Sequence, residues 1–356
     1  MARPHISVLI DAYNQEHYIE QAIVSVLEQD FPPAETEIVV VDDGSTDRTP
    51  EIVRKFEPRV RLLRKTNGGQ ASAFNAAIPQ TTAGLIAFLD GDDWWTKDKL
   101  TAVAEAFEAI PEIAAVGHGF YEVHEREPRM LMIPKKACRI GLSSEEETRI
   151  STVAKSFIAT SKLTVRRHVL DRVGTIPDQL VFCADEPILN GALALGGAFL
   201  LDRPLCYYRY HSNNLFGFSS RDPAPARRKY QVQVCITQYL PKLLAGFGVG
   251  PEAVEILIQR HKVEMRRFEA MCGGGRWQVF KAEAGAFRQE FKNPSSGYLF
   301  FKAGVAALTL LLPPSLFYRV RDWYGQKGLS RFRKTVGTVE TAYPEIYTRL
   351  PVSGPN

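Results

Sequence analysis

The apolar positions of the N-terminal part fall into two alternating patterns. Short runs suited to strands buried on both faces occur at Ile6–Ile10, Glu37–Val41, Val60–Leu63 and Leu85–Leu89. Between them, apolar residues recur at helical spacing. Ile19, Ala22, Ile23, Val26 and Leu27 mark one helix within Ile19–Gln29, and Ile52, Val53 and Phe56 mark a second after Thr49-Pro50. Gln70–Ala77 begins a third helix, after the turn Asn67-Gly68-Gly69. Such alternation predicts parallel strands joined by right-handed crossovers, with the carboxyl ends of the strands on one edge. That edge collects Asp11, Asp43, Lys65, Asp90 and Asp92.

Further along, the pattern loosens. Ala114–Ser151 reads as strand and loop, with the acidic, serine-rich stretch from Arg139 to Arg149 expected to be exposed or mobile. Ser161–Arg167 alternates into a strand, followed by a short helix to Gly174 and another helix over Pro187–Leu195. Strand-like runs at Ala198–Leu201 and Leu205–Tyr208 lead into Arg209-Tyr210-His211. Pro223, Pro225 and Arg227-Arg228-Lys229 read as a linker, and Val232–Leu244, Ala253–Phe268 and Gln278–Phe291 as helices. The expected organisation is an α/β domain over residues 1–220 and a helical, basic region over 221–356.

Composition adds an asymmetry of charge. The chain has 356 residues, 45% hydrophobic and 24% charged, with a net charge of +4, which is ordinary for a folded domain or two. Residues 1–220 carry 23 Lys and Arg against 30 Asp and Glu, a balance of −7, whereas residues 221–356 carry 21 against 10, or +11. Five scattered cysteines without a C-x-x-C pair fit a reducing compartment and disfavour a disulfide framework or zinc site. The apolar run at the N-terminus is too short for a signal peptide.

Within Tyr298–Phe317, the uninterrupted apolar part Ala303–Leu312 would reach about 15 Å as a helix, half of a bilayer core of about 30 Å. Pro313-Pro314 then breaks it, so no full crossing is expected. With Arg319, Arg321, Lys327, Arg331, Arg333 and Lys334 following, the segment suits an anionic membrane surface, or a packed helix flanked by solvated charges.

The chemistry gathers at the acidic strand ends. Asp90, Asp92 and Asp93 crowd three carboxylates around Gly91, which lets the backbone turn and a ligand approach. Hard carboxylate oxygens in this spacing suit Mg²⁺ or Mn²⁺ bridging substrate phosphates. The plainer reading is an acidic turn that ends a strand. Neither G-x-G-x-x-G nor G-x-x-x-x-G-K-[ST] is present, which disfavours a Rossmann dehydrogenase or a P-loop enzyme.

Four blocks in order carry a resemblance: Ser7-Val8-Leu9-Ile10 with Tyr13-Asn14, Val39–Asp47, Asn67-Gly68-Gly69, and Phe88–Asp93. Together they resemble family 2 glycosyltransferases of the GT-A fold over about residues 5–215. The resemblance implies a mostly parallel central sheet flanked by helices, here with a helical C-terminal appendage. It implies that Ala12, Tyr13 and Glu16 line the nucleotide pocket, that Asp43 holds the base, and that Lys65 lies near the nucleotide. Asp90 and Asp92 resemble the D-x-D motif, with Asp92 binding a metal on the diphosphate and Asp90 facing ribose and metal. Asp11 departs from the pattern, because members often have proline there.

Inverting sugar transfer needs one carboxylate within hydrogen-bond reach of the acceptor hydroxyl. Members often have Glu-Asp at the start of a helix with the Asp as base. In Ala184-Asp185-Glu186, Asp185 aligns with that base and Glu186 is the reserve candidate. Asp185 also suits a helix N-cap ahead of Pro187. Arg209 and His211 resemble the family's Tyr-Arg-x-His block and would reach the diphosphate or its metal; a loop histidine is otherwise simply solvated. Arg166 and Arg167 read as an acceptor-side arginine pair or as a solvated cap.

The implied activity is metal-dependent transfer of a hexose from a nucleotide diphosphate sugar, a UDP-sugar by expectation, to a saccharide or lipid-linked hydroxyl. The setting would be bacterial polysaccharide or glycolipid synthesis in the cytoplasm, peripheral at the inner face of the cell membrane. No nucleic-acid partner is expected. The alternatives are transfer to a polyprenyl phosphate, which needs no base, and a nucleotide-sugar-binding partner without turnover.

Overall fold

The apolar runs become strands that end where the carboxylates begin. The computed structural model describes residues 5–124, 127–211, 223–290, 304, 307–313, 316–317 and 346–352. β1 (Ile6–Ala12), β2 (Thr36–Asp42), β3 (Arg61–Arg64) and β4 (Leu85–Asp90) pair in parallel, in the order β3-β2-β1-β4. The crossovers are α1 (Ile19–Leu27), α2 (Thr49–Arg54) and α3 (Gln70–Ala77). α1 buries Ile19, Ala22, Ile23 and Val26, the face its spacing predicts. Phe74 of α3 meets Phe88 of β4 with ring centroids 5.0 Å apart, both fully buried. Burying each such ring is worth about 1.5–3 kcal/mol.

The sheet continues beyond β4 with antiparallel neighbours. Past the short β5 (Trp94–Trp95) and α4 (Lys99–Ala109), β6 (Ala115–His124) and β7 (Glu127–Pro134) form a hairpin, followed by β8 (Cys138–Ile140). Within the stretch expected to be exposed or mobile, residues 143–146 are exposed and α5 (Glu145–Ala154) begins, with N-cap Ser144 accepting the Glu147 N–H. β9 (Thr164–Arg166) lies antiparallel between β4 and β6. α6 (Arg167–Val173) and α7 (Asp185–Leu195) follow. The two strand-like runs at 198–208 are one strand, β10 (Ala198–Tyr210), paired in parallel with β6 and shifted in register around Pro204. Proline cannot donate to the ladder, so the shift falls there.

Contacts divide the chain into two units. The first contains residues 1–212, 240–254 and 345–356; the second contains 213–239 and 255–344. The first holds the sheet, including β11 (Tyr347–Pro351) on β7. Helices α8 (Pro223–Gly246) and α9 (Pro251–Met271) each contribute residues to both units, whereas α10 (Arg276–Glu290) lies in the second. There Ala270, Val279, Ala282 and Phe317 form an apolar cluster, and Arg267 bridges Glu264 and Glu283. Among the described residues no helix is long and apolar enough to cross a membrane. Much of Tyr298–Phe317 and the basic run 319–334 lie outside the described residues.

Candidate functional site

Parallel register brings the first acids together. Asp11 at the end of β1 is the register partner of Asp90 at the end of β4, and Ala12 that of Asp42 on β2. Gln70, the first residue of α3, spans the gap. Its Nε2 donates to Asp11 Oδ2 at 3.4 Å and to Asp90 Oδ1 at 3.2 Å, while its Oε1 accepts the Ala184 N–H at 3.1 Å. Asp11 Oδ1 is buried without a hydrogen-bond partner. Burial first, then the charges of Asp92 and Asp185, push the Asp11 carboxyl up to about 7. Burial, then Asp11, Asp93, Asp92 and Asp185, raises Asp90 well above the usual carboxylate range. The neighbouring carboxylates thus raise Asp11 and Asp90 on top of burial, because like charges close together disfavour ionisation.

The loop after β4 is held from behind by β10. The backbone N–H of Arg209 donates to Asp93 Oδ1 at 2.8 Å, and its Nε donates to the Asp92 carbonyl at 2.8 Å. The guanidinium also reaches Gln21 and lies over the Tyr18 and Trp94 rings, 4.7 and 4.4 Å from their centroids. Arg209 is thus a buried bracket under the acidic loop. Burial, then Asp92, raises buried Asp93 to about 7. His211 Nε2 lies 2.9 Å from Asp92 Oδ2, with its ring against Tyr18.

This donor set fits a divalent cation. Among the described residues no three His, Cys, Asp or Glu side chains are grouped to hold a metal by themselves. Mg²⁺ and Mn²⁺ sites of this kind need only one or two carboxylates, with substrate phosphates and water completing the shell. Asp92 and His211 supply an oxygen and a nitrogen donor in contact, with Asp90 two residues away, and the uncompensated charge of the cluster favours a cation.

The expected nucleotide side is tied together by short polar contacts. Asp43 is buried and accepts hydrogen bonds from Lys65 Nζ at 2.7 Å and from the amides of Gly68 and Gly69. Gly69 has a φ of 85°, and a Cβ there would meet Val181 Cα at 2.6 Å, so only glycine fits. The Ala12 carbonyl accepts the Asp43 N–H, which fixes the two strand ends against each other. Tyr13 stands 46% exposed at the rim. The Glu16 N–H donates to Asp47, and its carboxylate accepts from Arg48, whose hydrogen bonds hold it below the usual range.

A one-turn helix, Thr160–Lys162, connects the acids to the base candidate. The Thr160 N–H donates to Asp185 Oδ2 at 3.0 Å. Ser161 Oγ donates to Asp90 Oδ2 and accepts the Asp90 N–H, at 3.2 and 3.1 Å. Lys162 lies buried over Phe120 and Tyr208. Burial and then Glu186 raise Asp185, while the Thr160 N–H and Lys162 oppose them. Asp185 does not cap its own helix: α7 begins at Asp185, and its cap residue Ala184 makes no side-chain bond. Glu186 is instead engaged by Lys155 at 2.8 Å and Asn190 at 2.9 Å. Arg166 and Arg167 serve the fold by donating to backbone carbonyls of Ile113, Phe107 and Ala83.

Gln70, Asp93, Ser161 and Lys162 therefore join a site for which sequence reasoning did not nominate them. Ser161 and Lys162 fall in a stretch that reads as strand, and Gln70 as a helix start. Only Asp93, one of the three carboxylates around Gly91, carried a signal.

Comparison with known proteins bears on this arrangement. The profile described as Glycosyl transferase family 2 matches residues 7–174. An uncharacterized glycosyltransferase of Nostoc sp. is 30% identical over 251 residues, covering 69% of this chain and 77% of that protein. The fold resembles that of residues 1–349 of TarS from Staphylococcus aureus in a crystal structure with UDP-GlcNAc, with a TM-score of 0.53, 19% identity, and 82% and 94% of the two chains covered. TarS is a poly(ribitol-phosphate) beta-N-acetylglucosaminyltransferase. The fold also resembles that of the mannosyltransferase PcManGT from Pyrobaculum calidifontis with GDP-Man and Mn²⁺, with a TM-score of 0.51, 19% identity, and coverage of 91% and 85%.

Proposed function

The chain belongs to glycosyl transferase family 2, with an α/β GT-A fold, and from that premise we propose that it is an inverting enzyme using a nucleotide diphosphate sugar, a UDP-sugar in the first instance, and a hydroxyl acceptor. The observation that carries this reading is the network that ties the acids together: Gln70 bridges Asp11, Asp90 and the Ala184 N–H, and the Thr160–Ser161 turn joins Asp185 to Asp90. One carboxylate there, Asp185, stands apart from the acidic loop and is aligned by a backbone N–H.

Asp185 Oδ2 is held by Thr160, so Oδ1 takes the proton of the acceptor hydroxyl. The hydroxyl oxygen bonds to the anomeric carbon as the bond from that carbon to the diphosphate breaks. The nucleoside diphosphate leaves with the electron pair, and a single base on one side gives inversion. Glu186, occupied by Lys155, does not compete. A divalent cation, when bound, offsets charge on the leaving diphosphate, and Asp92 with His211 and Asp90 would hold it. Arg209 acts beneath the loop, fixing Asp92 and Asp93. Ala12, Tyr13 and Glu16 line the nucleotide side. Asp43 reads the base while sharing its carboxylate with Lys65 and two amides.

The acceptor is a saccharide or lipid-linked hydroxyl in bacterial polysaccharide or glycolipid assembly. In this reading the enzyme works in the cytoplasm, peripheral at the inner face of the cell membrane, because a basic region suits anionic lipid. Support for that placement is the exposure of Leu308, Leu310, Leu311 and Leu316, Leu311 by 71%.

The test is a screen of UDP-Glc, UDP-GlcNAc and GDP-Man for Mn²⁺-dependent nucleotide release, together with UDP binding. Asp185→Asn is expected to lower transfer about 10²–10⁴-fold with UDP affinity retained. An unchanged rate would point to a polyprenyl phosphate acceptor, and absence of UDP binding with Mn²⁺ would overturn the reading.

A further inference from the structure

The turn that aligns Asp185 also opens onto aromatic side chains that the donor site does not use. Alternation along β10 puts Tyr208 and Tyr210 on one face of the strand and Tyr207 and Arg209 on the other. The second face is filled. Tyr207 is stacked between Trp94 and Tyr121 at 4.9 Å each, and Arg209 covers the remaining side of Trp94.

The first face is different. It begins at Lys162, whose ammonium lies 4.7 and 4.5 Å from the Phe120 and Tyr208 centroids. Tyr208 meets Tyr210 edge-on at 5.1 Å. Tyr210 stacks on His124, its register partner on β6, at 4.7 Å and 10°. Tyr210 nevertheless remains 40% exposed.

Lys162 is only 4% exposed, yet among the described residues no carboxylate lies within 4.0 Å of its Nζ. Its charge acts at longer range on Asp93 and Asp185, which it favours in the ionised form, and the ring faces offset part of the cost of burial. Its Nζ makes no hydrogen bond among the described residues, which leaves its N–H groups as donors for a ligand. An inner hydrogen-bond donor beside the base and an exposed ring further out suit a ligand with a C–H face and a rim of oxygens. A sugar ring has both; a hydrocarbon chain lacks the oxygens.

We propose that Lys162, Tyr208, Tyr210 and His124 form the acceptor subsite, and that its ligand is a saccharide whose C–H face stacks on Tyr210 while an oxygen nearer Asp185 accepts from Lys162 Nζ. The inference rests on the transferase reading and adds to it the acceptor class and the residues that bind it.

The experiment uses the full chain with UDP and Mn²⁺. Methyl glycosides of glucose, galactose, N-acetylglucosamine and glucuronic acid are titrated by saturation-transfer NMR. At least one is expected to bind saturably. Tyr210→Ala and Lys162→Met should each raise its Kd about tenfold or more, with Tyr210→Phe and Tyr210→Trp near wild type and the UDP Kd of the Tyr210 variants within about twofold. Retention by the Phe and Trp variants separates loss of a stacking face from loss of folding. If UDP binds but none of the four sugars does, or if Tyr210→Ala leaves the sugar Kd unchanged, the subsite is refuted and the transferase reading survives. If UDP itself fails to bind the wild-type protein, both fall together.

Discussion

At Asp185, burial and the neighbouring Glu186 charge favour the protonated form, while the Thr160 N–H and Lys162 favour the ionised one. The net direction is upward from an ordinary aspartate. A base must be ionised to act, so kcat/KM is expected to fall on acidification from a higher pH than an unperturbed aspartate would give. A pH–rate profile for Lys162→Met should show that acid limb moved higher still, because a charge stabilising the carboxylate is gone. Asp11 gives the corresponding stability effect. Its folded-state pKa of about 7 exceeds the unfolded value of 3.8, so the native state binds the extra proton between those values. Stability from this group is full below pH 3.8 and is lost as pH rises through about 7. Metal-free protein should therefore gain more in unfolding midpoint from Asp11→Asn at pH 8 than at pH 5, measured by thermal scans.

Elements matter here through their ends. The first turn of α3 supplies Gln70, the loop before it supplies the Gly68 and Gly69 amides, and one short turn supplies Thr160, Ser161 and Lys162. Each contact satisfies a buried polar group that would otherwise lose water without recompense. Gln70→Ala leaves the Ala184 N–H and two carboxylates short of a partner. Chemical denaturation of that variant is expected to show a loss of about 1–3 kcal/mol. Addition of UDP with Mn²⁺ should recover part of it, since a cation relieves the same carboxylates.

The whole molecule separates charge along its sequence. Residues 1–220 are net −7 and residues 221–356 net +11. A basic region in the same chain as the acidic residues would draw the protein to anionic lipid. Sedimentation with vesicles containing anionic lipid should recover the protein, at about 1 kcal/mol per Lys or Arg near the surface. Zwitterionic vesicles should not, and binding should fade as salt rises, because the screening length is about 8 Å at 0.15 M ionic strength. Recovery independent of lipid charge would sink this placement.

The sequence by itself determined the alternation of strands and helices in the N-terminal part and the acidic edge on which the strands end. Both follow from local periodicity, whereas the pairing of Asp11 with Asp90 came from the strand order and register of the folded sheet. The start of α3 at Gln70 was legible from the turn before it. The joining of two runs into β10 was not, because a register shift at Pro204 interrupts the pattern. Nor could the chain reveal that Arg209 turns under the acidic loop, or that Asp185 is aligned from Thr160 while Glu186 is taken by Lys155. Those outcomes depend on partners far apart in sequence, Gln70 and Ala184 by 114 positions and Arg209 and Asp93 by 116. A side chain's role in a buried polar network is set by which groups share its enclosure. Periodicity assigns a residue to a face, but only packing decides what it meets there.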